Sequence, residues 1–567
     1  MKRIPLLLIA AALFACNSER VAVDATTDVS APGDGSTTDP DTAVPDETGQ
    51  GGDADESPDL STIDAEDDLG EDAPPEADVE DDTEAPDTAA DDADEVEDVD
   101  ADAVDVPDTE DVDGTDDEVA ADVEEDSVTD TDAAIDAGDG AEPWPVDPVA
   151  VPESVEVFPL SVQAGAMQTS SALLWTFVSD AQPVELRVWR DGEAGERLLA
   201  LEATVSPDAA GYLHVRAEGL QAGTWYQYAF FRSAESGELQ QRSPVGRFST
   251  AWAPGVRAPL TVAATSCTNQ RFRPLDAVER MAESGDISVF LHTGDQHYND
   301  GYETLDEFRN GWRSQLNERA YRRMHETVGL YQTWDDHEVD NDYDPTSMSR
   351  SILNAAFQAY FESFAVERGP GDGIWTSYVW GDTAEFIILD SRSERYVPDD
   401  SYYMSQAQLD WFLDRLSNST AHFKVVLNSV PITDMPGGYF GEGDRWEGFD
   451  RQRDAVINHI TSNDIRNVWF VSGDFHIGMV TRINNDGPGR RIHEIAAGPG
   501  GNTNPAASTL GALEFFSGVD QQIYNTGSFD TEVQTFLTFD PDRNQVRIQF
   551  IEATGEVLYD EWLSEGS

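Results

Sequence analysis

The chain lacks basic and aromatic residues over a long N-terminal stretch. Its 567 residues include no Lys or Arg between Arg20 and Arg187, and no Phe, Trp or Tyr between Phe14 and Trp144. Residues 21–142 contain 49 Asp and Glu. Such a segment cannot bury enough apolar surface to offset the entropy lost on ordering, so we expect it to be disordered. Its like charges repel each other, which favours an extended tether.

Positive charge is sparse in the rest of the chain as well. The formal net charge is −78, and no cluster of Lys or Arg forms a basic stripe. Proteins that bind nucleic acids use such stripes to neutralise phosphates, so we predict no nucleic-acid partner.

Long hydrophobic runs are missing too, since no run reaches the ~20 apolar residues that a transmembrane helix needs. At the N-terminus, two basic residues precede a short apolar run over residues 4–14, which is typical of a signal peptide. The run ends in Leu-Phe-Ala-Cys16, which resembles the lipobox of bacterial lipoproteins. That resemblance implies an acylated Cys16 and export to a bacterial membrane. Asn17 rather than Asp follows, which favours the outer membrane or the cell surface. The alternative is an ordinary signal peptide cut near Cys16.

Cysteine is scarce, with two residues in the whole chain. If Cys16 carries lipid, Cys267 has no disulfide partner within the chain. A lone thiol in an exported protein is either a buried inert group or a metal ligand. The residues near Cys267, described below, favour a metal ligand.

Two folded domains are predicted after the acidic segment. Residues 154–250 contain about seven short alternating strands separated by turns, which indicates a fibronectin type III-like β-sandwich. From about residue 258, apolar strands alternate with segments of helical periodicity, which indicates a layered α/β domain. We therefore divide the chain into a signal peptide (1–16), a tether (17–143), a β-sandwich (150–252) and an α/β domain (256–567).

Groups that bind metal or phosphate follow six of the predicted strands of the α/β domain. They are Cys267; Asp295 with Tyr298; Asp336 with His337; Asp390 with Arg392; Asn428; and Asp474 with His476. Ligands collect at the carboxyl ends of strands in α/β sheets, so we expect one shared site. Hard oxygen ligands with one His and one thiolate do not suit a structural zinc site. They suit ferric iron beside an oxygen-loving divalent ion such as Ca²⁺.

At this point the sequence resembles a known family. Residues 333–342, Thr-Trp-Asp-Asp-His-Glu-Val-Asp-Asn-Asp, closely resemble the signature of the alkaline phosphatase D (PhoD-like) family of calcineurin-like metallophosphoesterases. The motifs around Asp295, Arg392 and Asp474 follow in the same order as in that family. The resemblance implies an α/β fold in which a metallophosphoesterase β-sandwich is flanked by helices and preceded by a small all-β domain. It also implies hydrolysis of phosphate mono- or diesters by a metal-bound hydroxide.

The resemblance also implies a role for each residue of the site. The ligands of Fe³⁺ would be Cys267, Asp295, Tyr298 and His476. Asp295 would bridge to one or two Ca²⁺ ions, whose other ligands would be Asp336, Asp474 and Asn428. His337 would act near the leaving group as a general acid or an electrostatic partner. Arg392 would hold phosphate oxygens through its planar guanidinium.

Several neighbouring residues keep two interpretations. Glu338, Asp340 and Asn341 either bind metal or hold their loop by hydrogen bonds. Asp390 is expected to support Arg392. A Gly-rich loop at residues 441–448 is expected to lie over the site, as a substrate contact or as packing.

Two classes of function remain open. One is a phosphoesterase, including a phospholipase D-like phosphodiesterase, which we expect to be a monomer. The other is a surface-binding protein whose phosphatase domain is inert. An inert site would lack at least one of Asp295, Tyr298, Asp336 or Asp474, and none is missing.

Overall fold

The computed structural model describes residues 133–136, 142–396, 402–433, 444–484, 487–502, 521–523 and 532–566. The predicted signal peptide, Cys16 and most of the predicted tether lie outside these residues. Within them, no helix is both long enough and apolar enough to cross a bilayer.

The N-terminal region is a sandwich of β-strands. Its strands are β1 (Ala133–Asp136), β2 (Glu142–Pro143), β3 (Val162–Gly165), β4 (Ala172–Phe177), β5 (Val184–Asp191), β6 (Arg197–Val205), β7 (Tyr212–Glu218), β8 (Trp225–Ser233), β9 (Leu239–Arg242) and β10 (Gly246–Ser249). One sheet has the order β10-β8-β5-β6-β2, with β9 beside β8, and the other begins β1-β7-β4-β3. Side chains of both sheets, such as Leu174 and Tyr228, are fully buried in one core.

The last residues of the predicted tether belong to this sandwich. β1 pairs with β7 in parallel, and β2 pairs with β6. The local sequence explains the difference from the expected disorder: Ile135 packs against the main core, and the chain then leads to Trp144, which contacts Trp189. The folded region therefore begins before the predicted boundary at residue 143.

The C-terminal region alternates strands and helices. Its strands are β11 (Leu260–Thr265), β12 (Val289–His292), β13 (Leu330–Gln332), β14 (Thr376–Trp380), β15 (Ala384–Ile388), β16 (Phe423–Leu427), β17 (Val468–Ser472), β18 (Met479–Arg482), β19 (His493–Ala496), β20 (Gln521–Ile523), β21 (Val533–Asp540), β22 (Gln545–Glu552) and β23 (Val557–Leu563). Its helices are α1 (Asp276–Glu283), α2 (Leu305–Leu316), α3 (Arg319–Thr327), α4 (Arg350–Ser363), α5 (Gln406–Asn418) and α6 (Asp450–Ser462).

These strands form two sheets that face each other. The first sheet continues from β3 of the N-terminal sandwich as β13-β12-β11-β21-β22-β23, and the second has the order β14-β15-β16-β17-β19-β18-β20. Apolar side chains from both sheets, among them Phe386 and Phe539, pack in one core. A second core lies between the second sheet and helices α5 and α6. The predicted β-sandwich flanked by helices is confirmed.

The two predicted domains share a sheet, which the sequence does not reveal. Gly165 at the end of β3 pairs with Leu330 of β13. A Cβ atom on Gly165 would lie 1.9 Å from the carbonyl oxygen of Ala365, so this close approach of two backbones requires glycine.

One predicted helical segment is two helices. Periodicity over residues 305–328 suggests a continuous helix, but α2 ends at Leu316 and α3 starts at Arg319. Asn317, whose side chain favours local turns over the helix interior, stands at the break.

Parallel pairing brings the predicted site residues to one edge. β11, β12 and β13 run parallel, as do β15, β16 and β17. At this edge the two sheets are joined by hydrogen bonds from residues that directly follow the strands. Thr333 Oγ1 donates to the Leu389 carbonyl oxygen at 2.7 Å, and Ser266 Oγ donates to the Ala497 carbonyl oxygen at 2.8 Å.

Candidate metal centre

The backbone is left-handed at four of the predicted ligands. Their φ angles are 56° at Cys267, 57° at Asp295, 64° at Asp474 and 55° at His476. A positive φ is uncommon for residues with a side chain, and such strain concentrates at functional sites. Here it occurs at residues whose side chains all belong to the ligand groups described below.

A glycine makes one of these turns possible. Gly294, just before Asp295, has a φ of 108°. A Cβ atom at this position would lie 2.6 Å from the Cβ atom of Asp335 and 2.8 Å from the Asp335 amide nitrogen. The Gly-Asp pair of the sequence motif thus lets two acidic loops approach each other closely.

The first ligand group combines sulfur, nitrogen and oxygen. Atoms of Cys267, Asp295 and His476 lie within 4.8 Å of one another. The Tyr298 hydroxyl joins them, at 3.1 Å from both Asp295 Oδ2 and His476 Nε2. Asn502 Nδ2 contacts the same Tyr298 oxygen at 3.1 Å. Burial, reinforced by the negative charge of Asp295, raises the pKa of the Cys267 thiol well above its usual value. A thiolate at this position therefore needs a cation beside it.

Two further groups continue from the first. One consists of Asp295, Asp336 and His337, and the other of Asp335, Asp336 and Asp474. Asp295 and Asp336 each belong to two groups, so the three groups form a continuous row. A carboxylate with two oxygens can bridge neighbouring cations in such a row.

The side chains of the three groups are suited to bind cations. Among the described residues, no hydrogen-bond donor reaches the buried Oδ1 of Asp295 or Oδ2 of Asp335. Burial raises the pKa of Asp295 and of Asp474 well above the usual value of a carboxyl group. Buried carboxylates without partners are costly, and a metal ion is a common solution. Thiolate, phenolate, imidazole and carboxylate side chains are all groups that can bind metal ions.

His337 stands over the first group. Its ring lies on that of Tyr298, with the ring centroids 3.7 Å apart. Its Nδ1 is 2.7 Å from Asp300 Oδ1. Burial opposes a charged imidazole, but Asp336, Asp295 and Asp300 outweigh it and raise the pKa of His337 well above its usual value. Asp300 therefore fixes the ring orientation and favours the protonated form.

Arg392 lies closer to carboxylates than the sequence suggests. Its side chain is fully buried. Nε donates to Asp335 Oδ1 at 2.5 Å, and the two terminal nitrogens contact Asp444 Oδ1 and, at 3.3 Å, Asp444 Oδ2. The guanidinium expected to hold a phosphate is thus already paired with Asp444, which Arg395 also contacts at 3.0 Å.

Glu338 holds the metal-binding loops together. Its two oxygens accept hydrogen bonds from the backbone N–H groups of Asp295, Gln296 and Asp335, at 3.2, 2.6 and 2.8 Å. Asp340, in contrast, accepts a bond from the Gly301 N–H near the surface. These contacts favour the loop-holding interpretation for Glu338.

Asn341 and Asp390 also make structural hydrogen bonds. The Asn341 side chain donates to Asp342 at 2.8 Å. Asp390 accepts bonds from the Trp334 indole N–H and from the backbone N–H groups of Arg392 and Ser393. Asp390 thereby supports the turn that carries Arg392.

The remaining predicted residues lie beside the row of ligands. The Asn428 side-chain oxygen accepts bonds from Ser391 Oγ at 2.8 Å and from the Trp446 indole at 3.4 Å. Residues 441–443 of the predicted loop lie outside the described residues. Trp446, which follows, is fully buried against Tyr403, with the ring centroids 4.0 Å apart, so this end of the loop packs in the core.

The sequence reasoning does not single out four residues at the site. They are Asp300, Asp335, Asn502 and Asp444, of which Asp444 lies in the loop predicted over the site at residues 441–448. Asp335 adjoins Asp336 in the signature, so its sequence position could have marked it. Asp300, Asp444 and Asn502 come from irregular loops, where no periodicity indicates which side chains converge.

The fold and the site define a class of protein: a metallophosphoesterase-like α/β sandwich with a cluster of metal ligands at the strand ends. Comparison with known proteins narrows the class. The family model described as PhoD-like phosphatase matches residues 262–549, and that of its N-terminal domain matches residues 147–252. Together they span more than half of the chain, which therefore belongs to the PhoD-like phosphatase family.

Individual relatives agree with this assignment. The chain is 26% identical over 391 residues to alkaline phosphatase D of Bacillus subtilis, an alignment that covers 58% of this chain and 66% of that protein, just under two thirds of its length. A solved structure titled as PhoD superposes with a TM-score of 0.60 at 22% identity, covering 73% of this chain and 90% of the other. A purple acid phosphatase from yellow lupin superposes with a TM-score of 0.51 at 14% identity, covering 71% and 74%. The two structures support the fold.

Proposed function

We propose that the chain is a metal-dependent phosphoesterase that hydrolyses phosphate mono- or diesters. The observation that carries the proposal is the row of three overlapping ligand groups, in which Asp295 and Asp336 are each shared. Cations held by such a row would stabilise the charge on the oxygens of a phosphate ester during hydrolysis. Membership of the PhoD-like phosphatase family and the similarity to alkaline phosphatase D support the same reaction.

Fe³⁺ with one or two Ca²⁺ ions is the proposed metal content. Cys267, Asp295, Tyr298 and His476 would hold Fe³⁺. Asp295 would be shared with the calcium side, whose remaining proposed ligands are Asp336, Asp474 and Asn428. Asn428 could serve only if its side-chain oxygen binds metal in addition to, or in place of, the bonds from Ser391 and Trp446.

The side chains around the ions have separate tasks. When bound, the cations would lower the pKa of water and so would supply hydroxide as the nucleophile near neutral pH. His337 has its Nδ1 engaged by Asp300, which leaves Nε2 to face the leaving-group oxygen as a general acid or electrostatic partner. Arg392 would stabilise phosphate oxygens once part of its guanidinium is no longer bound to Asp444.

We also propose that the protein is an exported monomer, anchored by lipid on Cys16 to the outer membrane or cell surface. The lipobox-like sequence supports this location. Growth of expressing bacteria with labelled palmitate should label the protein, and Cys16→Ser should abolish the label. An unlabelled wild-type chain would refute lipidation and would leave the phosphoesterase proposal unaffected.

The function is tested by a hydrolysis screen of monoesters, diesters and a phospholipid head-group ester, with added Ca²⁺. We expect turnover with at least one class, and a loss of more than about a hundredfold in Asp336→Asn. Asp340→Asn is the matched control, because Asp340 lies in the same loop but bonds near the surface. Absence of turnover on every ester would favour the second candidate, a surface-binding protein with an inert site.

A further inference from the structure

A polar pocket lies on the N-terminal sandwich, outside the metal centre. Its volume is about 370 Å³, within the usual range of small-ligand sites. Strands β5, β8 and β10 and the turn before β8 form its walls. The side chains that carry the argument are Arg190, Asp191, Thr224, Trp225, Gln227 and Arg247.

The two arginines of this pocket lack a close carboxylate partner among the described residues. Neither Arg190 nor Arg247 forms an ion pair there, although the charge of Asp191, in the same pocket, acts on Arg247. Other arginines of the sandwich do: Arg187 contacts Glu202 at 2.7 Å, and Arg232 contacts Asp180 at 2.6 Å. Two unpaired guanidinium groups in one pocket are notable in a chain with a net charge of −78, where carboxylates are abundant. The N–H groups of both guanidinium groups are therefore available to an anionic ligand.

Arg247 is held in place by an aromatic ring. Its guanidinium carbon lies 3.7 Å from the centroid of the Trp225 ring, which is a cation–π contact. A guanidinium over an aromatic face keeps N–H groups that can meet the two oxygens of a carboxylate or phosphate. The positive charge is thus positioned before a ligand arrives.

The wall of the pocket is also rigid. The Gln221 N–H donates to the Tyr226 hydroxyl at 2.9 Å, and Thr250 Oγ1 donates to the Gln221 carbonyl at 2.6 Å. The Thr224 N–H donates to Thr250 Oγ1 at 3.0 Å. Tyr226 and Thr250 are buried, so the turn over residues 221–224 rests on groups that cannot move freely. A preformed pocket loses little entropy when it binds a ligand.

We propose that this pocket binds an acidic saccharide, a sugar ring that carries a carboxylate or phosphate group. Arg190 and Arg247 bind the charged oxygens. The Gln227 amide, the Thr224 hydroxyl and the Asp191 carboxylate exchange hydrogen bonds with ring hydroxyls, which need both donors and acceptors. The mainly polar lining fits a hydroxylated ligand better than an apolar one. This binding role is separate from phosphate-ester hydrolysis.

Arginine footprinting on the full chain tests the proposal. Phenylglyoxal modifies accessible guanidinium groups, and mass spectrometry gives the rate at each one. We expect glucuronate to slow modification of Arg190 and Arg247 severalfold, and to leave Arg323 and Arg466, which are exposed elsewhere, unchanged. Inorganic phosphate in a parallel sample shows whether the phosphate group alone suffices. Glucose, which lacks the charge, should give no protection.

Variants and salt complete the test. Arg247→Gln should weaken glucuronate protection of Arg190 by about tenfold, since one charge-assisted contact is lost, and should leave ester hydrolysis unchanged. Trp225→Phe, which keeps an aromatic ring, should retain most of the protection. Equal protection of all four arginines, protection by glucose, or no protection would overturn the proposal. Faster modification of both pocket arginines in about 0.5 M NaCl without added sugar would show that the chain's own carboxylates occupy the pocket, and would also overturn it.

Discussion

Glu338→Ala offers the sharpest test of how the site is built. The carboxylate is 2% exposed and accepts three backbone hydrogen bonds, from Asp295, Gln296 and Asp335. Removing it leaves three buried N–H groups without their acceptor, at about 1–2 kcal/mol each. Burial also raises the pKa of Glu338 to about 7, so the deletion relieves part of the cost of a buried charge. The expected net loss is about 2–4 kcal/mol of unfolding free energy.

Urea unfolding of the full chain, followed by tryptophan fluorescence, measures this loss. Asp340→Ala is the matched control, since it removes one bond from Gly301 near the surface and should cost less than about 1 kcal/mol. Metal analysis of both variants completes the comparison. If Glu338→Ala unfolds at the same urea concentration as Asp340→Ala yet loses metal, then Glu338 is a metal ligand and the loop-holding account is wrong.

Three further variants probe individual residues of the site. Cys267→Ser should keep the fold and lose both iron and activity; full iron content and rate would show that the thiol is merely buried. The holoprotein should absorb broadly in the visible range, and Tyr298→Phe should shift or weaken that band; a colourless active enzyme would refute the ferric assignment. Asp444→Asn should lower the KM for a phosphate ester severalfold, because it frees the Arg392 guanidinium for phosphate. An unchanged KM with a lower calcium content would instead identify Asp444 as a ligand.

The close approach of the candidate ligands can be predicted from the sequence because the reasoning is local. Apolar runs such as that of residues 287–291 are recognisable as buried strands, and parallel strands bring their carboxyl ends to one edge. Residues that follow such runs, for example Asp295 and Asp474, then converge by topology alone. The backbone is left-handed at both of these positions, just after the strands end.

Other features depend on contacts distant in sequence. The pairing of Gly165 with Leu330, which joins the two predicted domains, leaves no periodic signal. The motif identifies Arg392 as a site residue, but its partner Asp444 lies 52 positions further along the chain. Asn502 likewise reaches Tyr298 across 204 positions. Such partners are determined by loop conformations, which local propensity does not specify.

The central claim is that this chain hydrolyses phosphate esters through cations held by the row of shared carboxylates. The most direct measurement is the rate of p-nitrophenyl phosphate and bis-p-nitrophenyl phosphate hydrolysis by one preparation, before chelation, after it, and after Fe³⁺ and Ca²⁺ are returned. The account predicts that chelation stops hydrolysis and that the two ions together restore it in the wild type. It predicts no recovery in Asp295→Asn, which lacks the carboxylate common to two groups. Undiminished hydrolysis by metal-free protein would contradict the account.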